Sequence, residues 1–88
     1  MSPDARPVMG KGVRLRREDD GSSMLLVPEG ALLLNASAYA ALDLVDGRRT
    51  IAEIVRGVTS RFDVSEATAS AEIGALFERL VERHFIDL

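Results

Sequence analysis

Leu25-Leu26-Val27-Pro28-Glu29-Gly30-Ala31-Leu32-Leu33-Leu34-Asn35 consists of two short apolar runs joined by a turn, with no charge in either run. A strand with one face in water alternates apolar and polar residues. Ala31 to Leu34 is apolar at every position, so the pattern predicts cover on both faces. Pro28 and Gly30 take the second and fourth positions of the connecting turn. An edge strand leaves backbone N–H and C=O groups unpaired, and soluble proteins usually guard such an edge with Lys or Pro. No such guard stands between Gly30 and Asn35. The stretch fits three readings: an edge on which another extended chain docks, a central strand, or a seam between two copies.

Upstream, Val13-Arg14-Leu15-Arg16-Arg17 alternates, with Val13 and Leu15 predicted inward and Arg14 and Arg16 outward. Asp19-Asp20-Gly21-Ser22 supplies a hairpin turn, and Met24 to Val27 forms the next strand. These elements make a three-stranded antiparallel meander. Residues 1–12, with Pro3, Pro7, Gly10 and Gly12, show no period and are expected to form a flexible arm.

Downstream, the period changes from two to about 3.6. Asn35 is placed to cap a first helix that turns Tyr39, Leu42 and Val45 to one face and ends at Asp46-Gly47. Thr50-Ile51-Ala52-Glu53 has the form of a capping box, and Ile51, Ile54, Val55 and Val58 give the second helix its buried face. Ser65 caps a third and longest helix, with Ala69, Ile73, Leu76, Phe77, Leu80 and Val81 apolar, and Phe85, Ile86 and Leu88 trail into the core or a partner. The fold class is therefore α+β: a three-stranded antiparallel N-terminal sheet followed by three helices, one domain over residues 13–88.

A chain of 88 residues buries only about 60–65% of the surface its unfolded form exposes, so its core is thin. With no cysteine, disulfides, thiolate metal sites and thiol nucleophiles are excluded. No apolar run approaches the ~20 residues that span a bilayer, and the N-terminus lacks the apolar core of a signal peptide; no membrane partner and a cytoplasmic location are expected. The net charge of −3 hides an asymmetry: five basic residues face Asp4 within residues 1–17, while residues 18–88 carry thirteen acidic and six basic groups. An acidic helical part speaks against a nucleic-acid partner.

Catalytic chemistry has no candidate. His84 is the single histidine and stands at a predicted helix C-terminus, where a cap is its natural role. Asp19-Asp20 belongs to a turn, the serines fall at caps and turns, and no metal-ligand spacing or phosphate-binding glycine loop occurs. No catalytic residue, metal or cofactor is expected.

Leu25-Leu26-Val27-Pro28-Glu29-Gly30, Leu34-Asn35-Ala36-Ser37-Ala38 and Asp46-Gly47-Arg48-Arg49-Thr50-Ile51, in that order and spacing, resemble the PqqD family of pyrroloquinoline quinone biosynthesis. The resemblance spans residues 13–88. It implies a winged helix-turn-helix-like fold used for peptides: a chaperone that binds the precursor peptide PqqA as an added strand and presents it to the radical-SAM enzyme PqqE. Carried over, Ala31, Leu32, Leu33 and Leu34 would supply the strand edge, and Ile73, Leu76 and Leu80 the side wall. Affinity would then depend on apolar contacts more than on salt. The alternatives are a recognition domain of another modified-peptide pathway, a winged-helix DNA-binding regulator, and a homodimer that pairs its strands or exchanges its arm. Two further features of the third helix have more than one reading. Ala67, Ala71, Gly74 and Ala75 form a band of small residues that suits a helix crossing or a groove floor. Arg79 and Arg83 suit a solvated mixed-charge surface or acidic groups of a peptide.

Overall fold

Leu25 sits at the centre of the fold and is fully buried, because the middle strand of the meander lies beneath the helices. The computed structural model describes all 88 residues, in the order β1 (Val8–Met9), β2 (Arg14–Arg17), β3 (Ser23–Val27), β4 (Gly30–Leu34), α1 (Ala36–Asp43), α2 (Ile51–Thr59), α3 (Glu66–Glu82) and β5 (Ile86–Asp87). Strands β2-β3-β4 form an antiparallel sheet in that spatial order. Both hairpins rest on local chemistry. Asp20 Oδ1 accepts hydrogen bonds from the Ser22 N–H and hydroxyl, and Gly21 takes a φ of 89°. In the second hairpin Glu29 has a φ of 67° after Pro28, the position of a type II turn that glycine usually fills.

All three predicted helix caps form. Asn35 Oδ1 accepts from the Ala38 N–H at 2.8 Å, and Ser65 Oγ from the Thr68 N–H at 3.1 Å. At α2 the box is reciprocal: Glu53 N–H donates to Thr50 Oγ1 at 3.2 Å and Thr50 N–H to Glu53 Oε1 at 2.9 Å. Helix α2 buries Ile51, Ile54, Val55 and Val58, and α3 buries Ala69, Ile73, Phe77 and Leu80. Helix α1 departs from expectation. It ends at Asp43, and its buried residues are Ala40, Ala41 and Leu42. Tyr39 stays half-buried with the Arg17 guanidinium 4.5 Å from its ring centre.

The N-terminal segment requires the largest correction. It is not a free arm: β1 pairs with β5 to form a second, two-stranded antiparallel sheet. The carbonyls of Pro3, Ala5 and Pro7 accept from the N–H groups of Ala52, Ile51 and Gly47. The Arg6 guanidinium donates to the Arg48 carbonyl, and Pro7 is fully buried. The segment thus satisfies two free donors at the start of α2, which explains its order despite its lack of periodicity. Gly10 permits the crossing, since a Cβ there would lie 2.7 Å from the His84 carbonyl oxygen.

Helix α3 ends through His84, at a φ of 63°. The Phe85 N–H donates to the Leu80 carbonyl at 2.9 Å and the His84 N–H to the Val81 carbonyl at 3.0 Å. This is a Schellman cap, and it turns the chain so that Ile86 is fully buried in β5. His84 therefore caps through its backbone. Leu88 remains 55% exposed.

Candidate functional site

The register of the main sheet leaves one edge of β4 unpaired. Glu18 N–H donates to the Ser22 carbonyl at 2.8 Å, so the alternation of an antiparallel ladder turns the backbone groups of Met24 and Leu26 toward β2. Ser23, Leu25 and Val27 are then the β3 residues that bond to β4, where they face Leu34, Leu32 and Gly30. The N–H and C=O groups of Ala31 and Leu33 consequently point away from the sheet. No side chain donates to or accepts from them.

The side chains of β4 also alternate, against the expectation of cover on both faces. Leu32 and Leu34 are half-buried on the helix side, while Ala31 is exposed and Leu33 is 80% exposed. Its neighbours on that outer face are Arg16 and Met24 in one row and Arg14 and Leu26 in the next. No helix covers this face, which accounts for the failure of the prediction.

Beside the free edge runs a groove between β4 and α3. Its first part, a cavity of about 260 Å³, is lined by Leu32, Leu33, Leu34, Leu76, Leu80, Arg79 and Arg83. Leu76 and Arg79 also border a second cavity of about 540 Å³, which reaches Asn35, Ser37 and Ala38 at the start of α1 and the Phe62-Asp63-Val64 connection. The two lie side by side along α3, with Leu76 and Arg79 common to both. Of the three α3 residues singled out by sequence, Leu76 is half-buried and faces both cavities. Ile73 and Leu80 are only 5% and 2% exposed, so they form the floor and belong chiefly to the core. The contributions of α1 and of Phe62 to Val64 were missed, although Asn35 and Ser65 mark both junctions as helix starts.

The band of small residues is split. Ala71 and Gly74 border a separate depression with Met1, Pro3 and Glu78, so the N-terminal segment lies beside them, whereas Ala75 borders both this depression and the larger cavity of the groove. A Cβ on Gly74 would meet nothing within 4 Å, so no close packing calls for glycine there. His84 is exposed at its turn, and no group of three or more His, Cys, Asp or Glu residues could hold a metal ion. The carboxyls held below their ordinary range are Asp20, Asp46 and Glu53, each through hydrogen bonds of turns and caps outside the groove. No helix is long and apolar enough to cross a membrane.

Comparison with known proteins gives a consistent picture. The family model described as "Coenzyme PQQ synthesis protein D (PqqD)" matches residues 23–86. A "PqqA binding protein" of Stutzerimonas stutzeri (strain A1501) is 39% identical over 83 residues, covering 93% of this chain and 89% of that protein. A "Bifunctional coenzyme PQQ synthesis protein C/D" of Methylorubrum extorquens is 32% identical over 82 residues, covering 92% of this chain and 22% of that longer protein. The solution NMR structure of the PqqD truncation of Methylobacterium extorquens PqqCD superposes over 100% of both chains with a TM-score of 0.78 and 31% identity. That protein is described as a functional and stand-alone recognition element for ribosomally synthesized and post-translationally modified peptides.

Proposed function

Because this chain belongs to the PqqD family, we propose that it is a non-catalytic peptide chaperone of pyrroloquinoline quinone biosynthesis. It acts in the cytoplasm, binds the precursor peptide PqqA by strand addition and presents it to the radical-SAM enzyme PqqE. The observation that carries this reading is the free edge of β4 beside an apolar groove. Ala31 and Leu33 offer two donors and two acceptors to an incoming strand. At about 1 kcal/mol net for each bond, backbone pairing alone supplies about 4 kcal/mol, which corresponds to only millimolar affinity. Tighter binding needs side chains in the groove, and Leu76, over the floor made by Ile73 and Leu80, provides the apolar wall for them.

The charge pattern separates this role from DNA binding. A recognition helix starting at Ser65 presents Glu66 and Glu72 and has no Arg or Lys before Arg79, which is poor chemistry for phosphate. Titration calorimetry with the PqqA peptide, followed by crosslinking assays with PqqE with and without this protein, tests the proposal. The expected result is a one-to-one complex and crosslinking that depends on it. Absence of binding, or peptide binding without any effect on PqqE, would refute the corresponding half. A complex with the precursor of another modified-peptide pathway alone would move the protein to that pathway. A stable dimer that excludes peptide would make β4 a seam between copies.

A further inference from the structure

The groove is polarised along its length. Where it borders β4, its charged lining is Arg79 and Arg83 alone. Where it passes the start of α1, Asp63 and Glu72 join Arg79 in the lining. None of these four side chains is held by an ion pair within the chain, whose ion pairs join Met1 to Glu78, Arg16 to Glu18 and Arg49 to Asp46. Nor does any other acidic residue of α3 form an ion pair with either arginine: Glu78 pairs with the Met1 amine and borders the depression near it, and Glu66 and Glu82 line neither part of the groove. An apolar trough therefore has free positive charge at one end and free negative charge toward the other.

The spacing can be put into peptide units. At 1.5 Å per helical residue, Arg83 and Arg79 lie about 6 Å apart along α3, and Arg79 and Glu72 about 10 Å. An extended peptide advances about 3.3 Å per residue, so these intervals match about two and about three residues. Residues two apart on a strand share a face.

Resting on the function proposed above, we propose that the groove selects and orients a peptide by segregated charge. The selected segment carries two carboxylates about two residues apart, held by Arg79 and Arg83 beside β4. An apolar side chain rests on Leu76, and about three residues beyond the carboxylate at Arg79, on the other face of the extended peptide, a Lys or Arg reaches toward Asp63 and Glu72. Backbone pairing at Ala31 and Leu33 tolerates many sequences, so the charges fix which end of the peptide lies against the sheet.

The test uses the PqqA peptide with wild-type protein, with Arg79→Glu/Arg83→Glu, with Asp63→Lys/Glu72→Lys and with Leu33→Pro. The four charged side chains are exposed, and circular dichroism checks that each variant folds. Both charge reversals should weaken binding by about tenfold or more at low salt, with the loss shrinking as salt rises. A nitroxide on the acidic segment of the peptide should broaden the amides of Leu80 to Arg83, and one on the basic segment those of Ala36 to Ala38. Wild-type binding that is abolished by Leu33→Pro but changes less than twofold on either charge reversal would overturn this inference and leave the chaperone role standing. So would broadening in the opposite order, or a precursor that binds at β4 without such a segment. Failure of the wild-type protein to bind would overturn both.

Discussion

Leu33→Pro and Leu32→Pro place the same ring at adjacent positions of β4, and the structure assigns them opposite consequences. The Leu33 N–H points to the open edge and its side chain is 80% exposed. Proline there removes no ladder bond, little apolar burial is lost, and the required φ suits an edge strand. The cost to folding should stay below about 1 kcal/mol. Leu32 instead faces Leu25, and by the same alternation its N–H bonds to β3 while its side chain packs against the core. Losing that bond and part of that packing should cost about 2–3 kcal/mol. For the incoming peptide the order reverses. Leu33→Pro deletes one of four edge groups and puts a ring where the added strand must lie, so affinity should fall at least about tenfold, or 1.4 kcal/mol. Urea unfolding followed by circular dichroism and calorimetric titration with PqqA measure the two quantities. Wild-type affinity in Leu33→Pro, or destabilisation equal to that of Leu32→Pro, would refute the assignment of the edge.

Three other predictions concern the frame that holds the groove. Gly74→Ala should stabilise the protein by about 0.5–1 kcal/mol, because a Cβ finds open space and alanine favours a helix; an unchanged or lower melting temperature would contradict this. His84→Gly should raise stability by about 1 kcal/mol by relieving the left-handed φ, and His84→Ala should leave peptide binding intact; loss of binding would show that the imidazole itself takes part. Acid should destabilise the chain through Asp46 and Glu53, whose carboxyls are held low by the backbone N–H groups of Arg49 and Arg48 and of Thr50. Their folded pKa values lie below the unfolded ones, so the unfolded state binds more protons. Their contribution is complete above about pH 5 and is lost as pH falls through the folded values. Asp46→Asn and Glu53→Gln should lower stability at neutral pH and flatten its acid decline, whereas a decline of wild-type steepness would refute the assignment.

Much of this architecture was legible because its signals are local. Asn35, Thr50 and Ser65 mark helix starts through side-chain oxygens that answer N–H groups three residues away, and the buried face of α2 follows directly from Ile51, Ile54, Val55 and Val58. The pairing of Val8–Met9 with Ile86–Asp87 was not legible: a two-residue strand has no period, and its partner lies at the other end of the chain. The β4 run shows a different limit. Four consecutive apolar residues mark a strand, but composition cannot say which face the helices cover, and Ala31 and Leu33 proved to be on the uncovered one. On α3, spacing marked Ile73, Leu76 and Leu80 only as apolar positions among six, and the family resemblance singled them out as a wall. Only packing separates the accessible Leu76 from the two that the core absorbs.

The edge of β4 is tested most directly by amide hydrogen exchange, read residue by residue with and without the PqqA peptide. The free protein should protect the Leu32 and Leu34 amides and leave those of Ala31 and Leu33 open, and the peptide should slow exchange at Ala31 and Leu33 specifically. Protection of Ala31 and Leu33 before peptide is added, or exchange there that a bound peptide leaves unchanged, would contradict strand addition at this edge.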